Sequence, residues 1–321
     1  MARRALVGGS VAAAVTAGYL AAYVAARQPG RLSGFRSLQG ERRYDRAYRA
    51  VLDEWPVPWQ SVWVPTPFGD THILTSGPAE APPVVLLHAT GTSATGWLLN
   101  VGPLSQEYRV FAVDILGEAG RSRQTALLRD RRDCVDWVSA VLDGLGLKRA
   151  SLVGWSFGGW ATMAFVIAHP QRVNTCVLLA PFGSLAPYAP AVLTFLKVGP
   201  YLPMGPPGRL ALRMMSPGYH FEEHFARQFA LGGRYFRAAD PRASAFPQPY
   251  DDAELRSISV PVLLLVGDRE STFDPHRAVE RARAQALIPR VEMDVLPGIG
   301  HMLAMEAGDV VNARMLAFLD Q

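Results

Sequence analysis

The stretch Ala150-Ser151-Leu152-Val153-Gly154-Trp155-Ser156-Phe157-Gly158-Gly159 decides how this chain folds. Ala150 to Val153 is a short apolar run of the kind that forms a strand buried on both faces, and Phe157 to His169 carries a helical pattern. Ser156 therefore falls where a buried strand turns sharply into a helix, which is where a nucleophile can be held. Gly154 and Gly158 remove side chains that would collide across so tight a turn, and Gly159 lets the helix lie close to the neighbouring strand. The Gly-x-Ser-x-Gly spacing alone recurs by chance; its placement between a strand and a helix gives it weight.

Working outward, apolar and β-branched runs bounded by turn residues occur at Ser61 to Val64, Ile73 to Ser76, Val84 to Leu87, Arg109 to Val113, Ala150 to Val153, Cys176 to Leu179, Val262 to Val266 and Val291 to Leu296. From the third run onward they alternate with helical patterns at Trp97 to Gln106, Asp130 to Leu145, Phe157 to His169, Pro275 to Leu287 and Gly308 to Leu319. Alternation of this kind predicts an α/β fold: a mostly parallel, eight-stranded sheet with helices on both faces. Phe68-Gly69-Asp70 reads as the turn of an opening antiparallel hairpin.

With these landmarks the chain resembles the α/β-hydrolase superfamily from about Val62 to the C-terminus. The matching residues are His88-Ala89-Thr90-Gly91 after the third strand, Asp114 with Gly117 to Ser122 after the fourth, the Ser156 turn, Gly267-Asp268-Arg269-Glu270 after the seventh, and Gly298-Ile299-Gly300-His301 after the last. Their order, serine then acid then histidine, is the order that family uses. Motif for motif, the chain looks most like the bacterial serine carboxylesterase branch with a cap domain.

The chemistry follows from residue types. A serine hydroxyl needs a base to take its proton during attack and return it to the leaving group, and imidazole titrates in the right range. His301, on the loop after the last strand, is the candidate; His72, His88, His169, His220, His224 and His276 have structural or surface readings. The base needs a carboxylate to orient it. Asp268, Glu270 and Asp274 compete after the seventh strand, and the resemblance favours Glu270, with Asp268 as the alternative acid. The resemblance also implies an oxyanion hole built from the backbone amides of Phe157 and Thr90, with Ala89 standing where the family usually has glycine. Asp114 and the Gly117 to Ser122 loop are expected to shape the wall beside the nucleophile, and Arg121 is either a contact for an anionic substrate or a solvated cation.

Five segments are expected. Residues 1–30 form a hydrophobic N-terminal segment and residues 31–60 a basic linker with an amphipathic helix over Arg42 to Val51. Residues 61–181 and 251–321 make the two parts of the core, and residues 182–250 are inserted between the sixth and seventh strands. The resemblance makes that insertion a helical cap. Its twelve aromatic residues, from Phe182 to Tyr250, either enclose an apolar pocket over the nucleophile or pack the cap onto the core. A small ester with an apolar acyl or alcohol part is the expected substrate.

Composition excludes other classes. Cys134 and Cys176 read as small buried hydrophobes, and no metal-ligand spacing, phosphate-cradling loop or dinucleotide fingerprint is present, so no metal and no cofactor is expected. The net charge of +4 comes from the N-terminus, because residues 1–50 carry +7 and the remainder about −3. The folded domain is therefore mildly acidic, which argues against a nucleic-acid partner. Ala5 to Ala26 gives 22 residues without a charge. A helix of that length, at about 1.5 Å per residue, just spans a bilayer core of about 30 Å. Residues 5–26 are accordingly expected to associate the chain with a membrane, with a cleaved signal peptide and a soluble alanine-rich helix as the competing readings. The arginines that follow the run outnumber Arg3 and Arg4, which puts the catalytic domain on the cytoplasmic side if the run is an anchor; signal cleavage would secrete it. Oligomeric state is not legible.

Three functions fit these residues. The first is a serine hydrolase of carboxylic esters; the second is thioester, carbon–carbon or perhydrolytic chemistry on the same scaffold; the third is a membrane-tethered binding protein without activity. Epoxide hydrolases and haloalkane dehalogenases carry Asp where this chain has Ser156.

Overall fold

A computed structural model describes residues 30–189, 207–240, 244–284 and 287–320. The expected hydrophobic segment over residues 5–26 lies outside these, as do the cap aromatics Phe195 and Tyr201. No helix among the described residues is long and apolar enough to cross a membrane.

The chain forms an α/β sheet with helices on both faces. In order along the chain the strands are β1 (Gly34–Phe35), β2 (Trp59–Thr66), β3 (Gly69–Ser76), β4 (Pro83–Leu87), β5 (Arg109–Val113), β6 (Arg123–Gln124), β7 (Ala150–Trp155), β8 (Val173–Leu179), β9 (Phe236–Arg237), β10 (Val262–Gly267) and β11 (Val291–Leu296). The helices are α1 (Leu38–Leu52), α2 (Leu98–Glu107), α3 (Arg131–Gly144), α4 (Phe157–Ala168), α5 (Pro207–Met215), α6 (Glu223–Tyr235), α7 (Asp252–Arg256), α8 (Pro275–Arg283), α9 (Leu303–Glu306) and α10 (Gly308–Leu319).

The large sheet runs β11-β10-β8-β7-β4-β5-β3-β2, with short β6 paired to β3. All neighbours from β11 to β5 are parallel, while β2, β3 and β6 are antiparallel. The eight expected strands are the eight on this path. β3 starts four residues earlier than its apolar run suggests, because Gly69 closes the hairpin and pairs with Gln124 of β6. Every residue of β7 and β10 is buried, which explains why these strands read as continuous apolar runs. At the edge, β11 presents Glu292 and Asp294 to Arg314 of α10, so charges cover a strand that would otherwise template pairing.

Residues 31–60 are built into the body of the protein. Ser37 accepts the Gly40 N–H and caps α1, which starts at Leu38, four residues before the expected amphipathic pattern. α1 buries Tyr44, Ala47, Tyr48, Val51 and Leu52. It packs against α6 of the insertion so closely that a Cβ on Gly40 would lie 2.8 Å from the Tyr235 ring. Beside it, β1 and β9 form a two-stranded antiparallel sheet that ties the same two segments together. Gln228 of α6, only 3% exposed, donates to the Tyr44 hydroxyl and to Ser93 Oγ and accepts from Thr95 Oγ1, at 2.9–3.0 Å.

Asp114, at the end of β5, is the polar hub of this region. Its carboxylate pairs with His72 Nδ1 at 2.8 Å and accepts the Ala94 amide at 2.7 Å, the Arg121 amide at 2.9 Å and the Tyr48 hydroxyl at 3.1 Å. Burial alone would raise its pKa; the His72 pair and the Ala94 amide outweigh burial and hold it below the usual carboxylate value. Arg121 lies 4.4 Å over the Tyr48 ring and binds Asp45 at 2.8 Å, so its guanidinium braces α1. Asp114→Ala removes one partner from four buried or half-buried donors and is expected to cost about 3–5 kcal/mol of stability, measured by urea unfolding.

Candidate active site

Ser156 is the last residue before α4 and has φ 55 and ψ −115, a conformation L-residues rarely adopt. Two close approaches hold it there. A Cβ on Gly158 would lie 2.1 Å from the Leu87 carbonyl, and one on Gly154 would lie 2.4 Å from the Gly158 carbonyl, so only glycine fits at either position. The Ser156 amide donates to Leu179 O of β8 at 2.9 Å, and its carbonyl accepts the Trp160 and Phe182 amides. The hydroxyl is thereby fixed at the carboxyl end of the central strand.

His301, 3% exposed, meets it. Its Nε2 is 2.8 Å from Ser156 Oγ, and its Nδ1 is 2.6 Å from Glu270 Oε2. With Glu270 ionised, the imidazole proton lies on Nδ1 and the bare Nε2 accepts the serine hydroxyl. The other Glu270 oxygen accepts the Thr272 amide at 2.7 Å, which fixes the carboxylate plane. Asp268 and Asp274 lie elsewhere: Asp268 accepts the Gly298 amide at 2.7 Å, and Asp274 caps α8 by accepting the Arg277 amide.

The loop after β4 is a tight turn. Thr92 N–H donates to Ala89 O at 3.1 Å, and Gly91 has φ +79 at the third position, as a type II turn requires. His88 braces it from below: Nδ1 donates to Ala89 O at 2.9 Å, and Nε2 accepts the Ile115 amide at 3.0 Å. Burial lowers the His88 pKa, which favours the neutral ring that these bonds need. Thr90 sits exposed at the crest of this turn, and Phe157 is the first residue of α4, whose amide has no intrahelical acceptor. The contact of Gly158 with Leu87 and His88 carbonyls sets the start of α4 against this loop.

Glu118 was not singled out by the sequence, although it lies in the Gly117 to Ser122 loop. Its carboxylate accepts the Gly91 amide at 2.9 Å and a bond from Thr90, locking the turn. Nothing in the spacing pairs positions 27 residues apart; only the sheet brings them together. Burial pushes the Glu118 carboxyl up from 4.5 to about 7, against those two bonds.

Described residues of the insertion pack beside this region. Phe229 of α6 would lie 3.1 Å from a Cβ on Gly91, and Phe182, Tyr188 and Phe246 form a chain of ring contacts beside the nucleophile turn. Ser156 is 4% exposed. Cys134 and Cys176 are both buried and free. Among the described residues no group of three His, Cys, Asp or Glu side chains is placed to hold a metal ion.

Comparison with known proteins agrees with this architecture. The model of the alpha/beta hydrolase family matches residues 84–314, and the chain belongs to that family. It is 36% identical over 282 residues to an uncharacterized carboxylesterase of Bacillus subtilis, covering 87% of this chain and 92% of the relative. Among solved structures it is similar to the naproxen esterase of Bacillus subtilis, with a TM-score of 0.83 at 34% identity, and to the Bacillus subtilis carboxylesterase CesB, with a TM-score of 0.82 at 31%. Each covers 88% of this chain and 99% of the relative.

A carboxyl whose pKa is raised on folding makes the folded state bind the extra proton, so its contribution to stability falls as pH rises from 4.5 towards 7. Glu118→Gln is therefore expected to flatten the decline of thermal stability over that interval, read as Tm against pH.

Proposed function

We propose that this protein is a serine hydrolase of carboxylic esters in which Ser156, His301 and Glu270 form the catalytic triad. One observation carries the reading: a single imidazole bridges the Ser156 hydroxyl at 2.8 Å and a buried carboxylate at 2.6 Å. The chain's similarity to carboxylesterases over most of its length supports the reaction class.

In the proposed cycle, Ser156 Oγ attacks the ester carbonyl carbon while its proton passes to His301 Nε2. Glu270 stabilises the imidazolium through Nδ1. The carbonyl oxygen becomes an oxyanion held by the Phe157 and Thr90 amides, each worth about 3 kcal/mol in systems where one such donor has been removed. Collapse breaks the carbon–oxygen bond to the alcohol, which leaves with the His301 proton. Water then attacks the acyl-serine, giving its proton to Nε2; the carboxylic acid departs and Ser156 recovers its proton.

The aromatic side chains beside the nucleophile turn and beside Gly91 support an ester with an apolar acyl or alcohol part, because they offer apolar contact area. The scheme calls for neither metal nor cofactor.

We further propose that residues 5–26 hold the protein at a membrane with the catalytic domain on the cytoplasmic side. Two observations support this: the uncharged run is followed by exposed Arg36, Arg42, Arg43, Arg46 and Arg49, and exposed Leu38, Trp59 and Trp63 border the same groove as Arg42 and Arg49. The expected outcome is that the chain stays with membranes after an alkaline carbonate wash; release into the supernatant would end the anchor reading.

A fluorophosphonate probe is expected to label the wild type and to leave Ser156→Ala unlabelled, and absence of labelling in folded wild type would overturn the acyl-enzyme scheme. Turnover of a p-nitrophenyl ester series of increasing acyl length should fall roughly 10⁴-fold or more in Ser156→Ala and His301→Ala. Glu270→Gln should lose about 10²–10⁴-fold, while Asp268→Asn stays within about threefold; the reverse ranking would move the acid to Asp268.

A further inference from the structure

The backbone around His301 is held by an unusual set of bonds, and most of them lead to one side chain. Glu306 lies five positions on, in α9. Its Oε2 accepts the Gly300 amide at 3.1 Å and its Oε1 accepts the Met302 amide at 3.1 Å. The amide between them, that of His301 itself, donates to Met215 O at 2.9 Å. Met215 ends α5, within the inserted cap. The next residue, Ser216, is fully buried; its hydroxyl donates to Glu306 Oε1 and lies 3.3 Å from the Met302 amide. A third cap contact follows, from the Tyr219 hydroxyl to Met305 O at 3.0 Å. On the core side the His301 carbonyl accepts the Trp155 indole N–H at 3.0 Å.

Three consecutive amides thus point into a clamp made of one carboxylate and the end of one cap helix. The approach is close enough that a Cβ on Gly300 would sit 2.4 Å from Met215 O and 3.1 Å from Glu306 Oε1. Glu306 contacts neither Ser156 nor Glu270 in any of these bonds, and it holds no reacting atom. A carboxylate is well suited to the task because it is acceptor-only, so each oxygen can take an N–H and one can also take a hydroxyl without a donor clash.

We propose that Glu306 and Ser216 are positioning residues that align the base with the nucleophile, and that through them His301 is aligned only while the Met215 to Tyr219 segment of the cap is seated. The proposal rests on the reading of His301 as the general base. A displaced cap segment removes the Met215 acceptor and the Ser216 donor together, and the loop carrying the imidazole loses its register over Ser156. Misplacement of a base by about 1 Å costs on the order of 10²-fold in rate. Proton transfer then requires that the cap segment be seated.

The test uses the full chain. Glu306→Gln keeps size but puts an NH₂ group opposite one of the amides, and Ser216→Ala removes only the hydroxyl. Steady-state turnover of a p-nitrophenyl ester is compared with the low-field proton resonance of the His301 Nδ1–H. Glu306→Gln is expected to lower kcat about tenfold or more with KM within about twofold, and to shift or broaden that resonance. Ser216→Ala should move both readouts the same way by less, and Glu306→Asp should retain more activity than Glu306→Gln. If Glu306→Gln fails to fold, Ser216→Ala carries the same two measurements. An unchanged kcat and an unchanged resonance in folded Glu306→Gln or Ser216→Ala would overturn the proposal, as would a lower Tm as the sole effect. Wild type that turns over no ester and takes no fluorophosphonate would instead defeat the reading of His301 on which it rests.

Discussion

Everything at the site depends on one residue being forced to positive φ. Ser156 stands between a strand with every residue buried and a helix whose first turn is pressed against β4. A non-glycine residue in that region costs of order 1–3 kcal/mol and persists only where its surroundings over-determine it. Here they do so through glycines 154 and 158, whose missing side chains let backbone touch backbone, and through the amide bond to Leu179. The strain lifts the hydroxyl out of the sheet towards the loop that carries His301.

The surrounding polar groups are arranged in layers rather than as separate pairs. Asp114 gathers β3, the loop after β4, the loop after β5 and α1; Gln228 gathers α1, the same β4 loop and the cap. The loop bearing Thr90 is also held by bonds to His88 and Glu118 and by packing against Phe229. A short turn with three independent supports suits the oxyanion role proposed for Thr90, which needs an amide that does not reorganise as charge develops. The helix over Leu38–Leu52 belongs to this construction. The segment before the first core strand therefore helps to build the site and does more than connect an N-terminal run to a domain.

Much of the fold was legible because buried parallel strands have few ways to be written. Runs such as Val84 to Leu87 and Val262 to Val266 are apolar on both faces, and the turns between them carry glycine and aspartate. Ser156 and His301 were legible for a related reason: each follows a strand at a turn rich in glycine. The choice among Asp268, Glu270 and Asp274 was harder, since all three lie within seven residues on one loop and differ only in where the loop turns. Glu118 and Glu306 gave no signal. Each acts by accepting backbone amides, and any carboxylate at the right distance could do so.

The sequence by itself determined the order of strands and helices, the strand-to-helix turn at Ser156 and the types of group that could serve as base and acid, because local pattern and glycine spacing constrain those directly. Tertiary structure brought Glu270, the carboxylate the resemblance favoured, to the imidazole, and it alone decided that α1 packs on the cap and that the His301 loop is clamped to the cap by Glu306 and Ser216. Those are contacts between residues tens to hundreds of positions apart, or between neighbours whose loop could turn either way. Their geometry is set by how the sheet twists and packs, which no short stretch of sequence encodes.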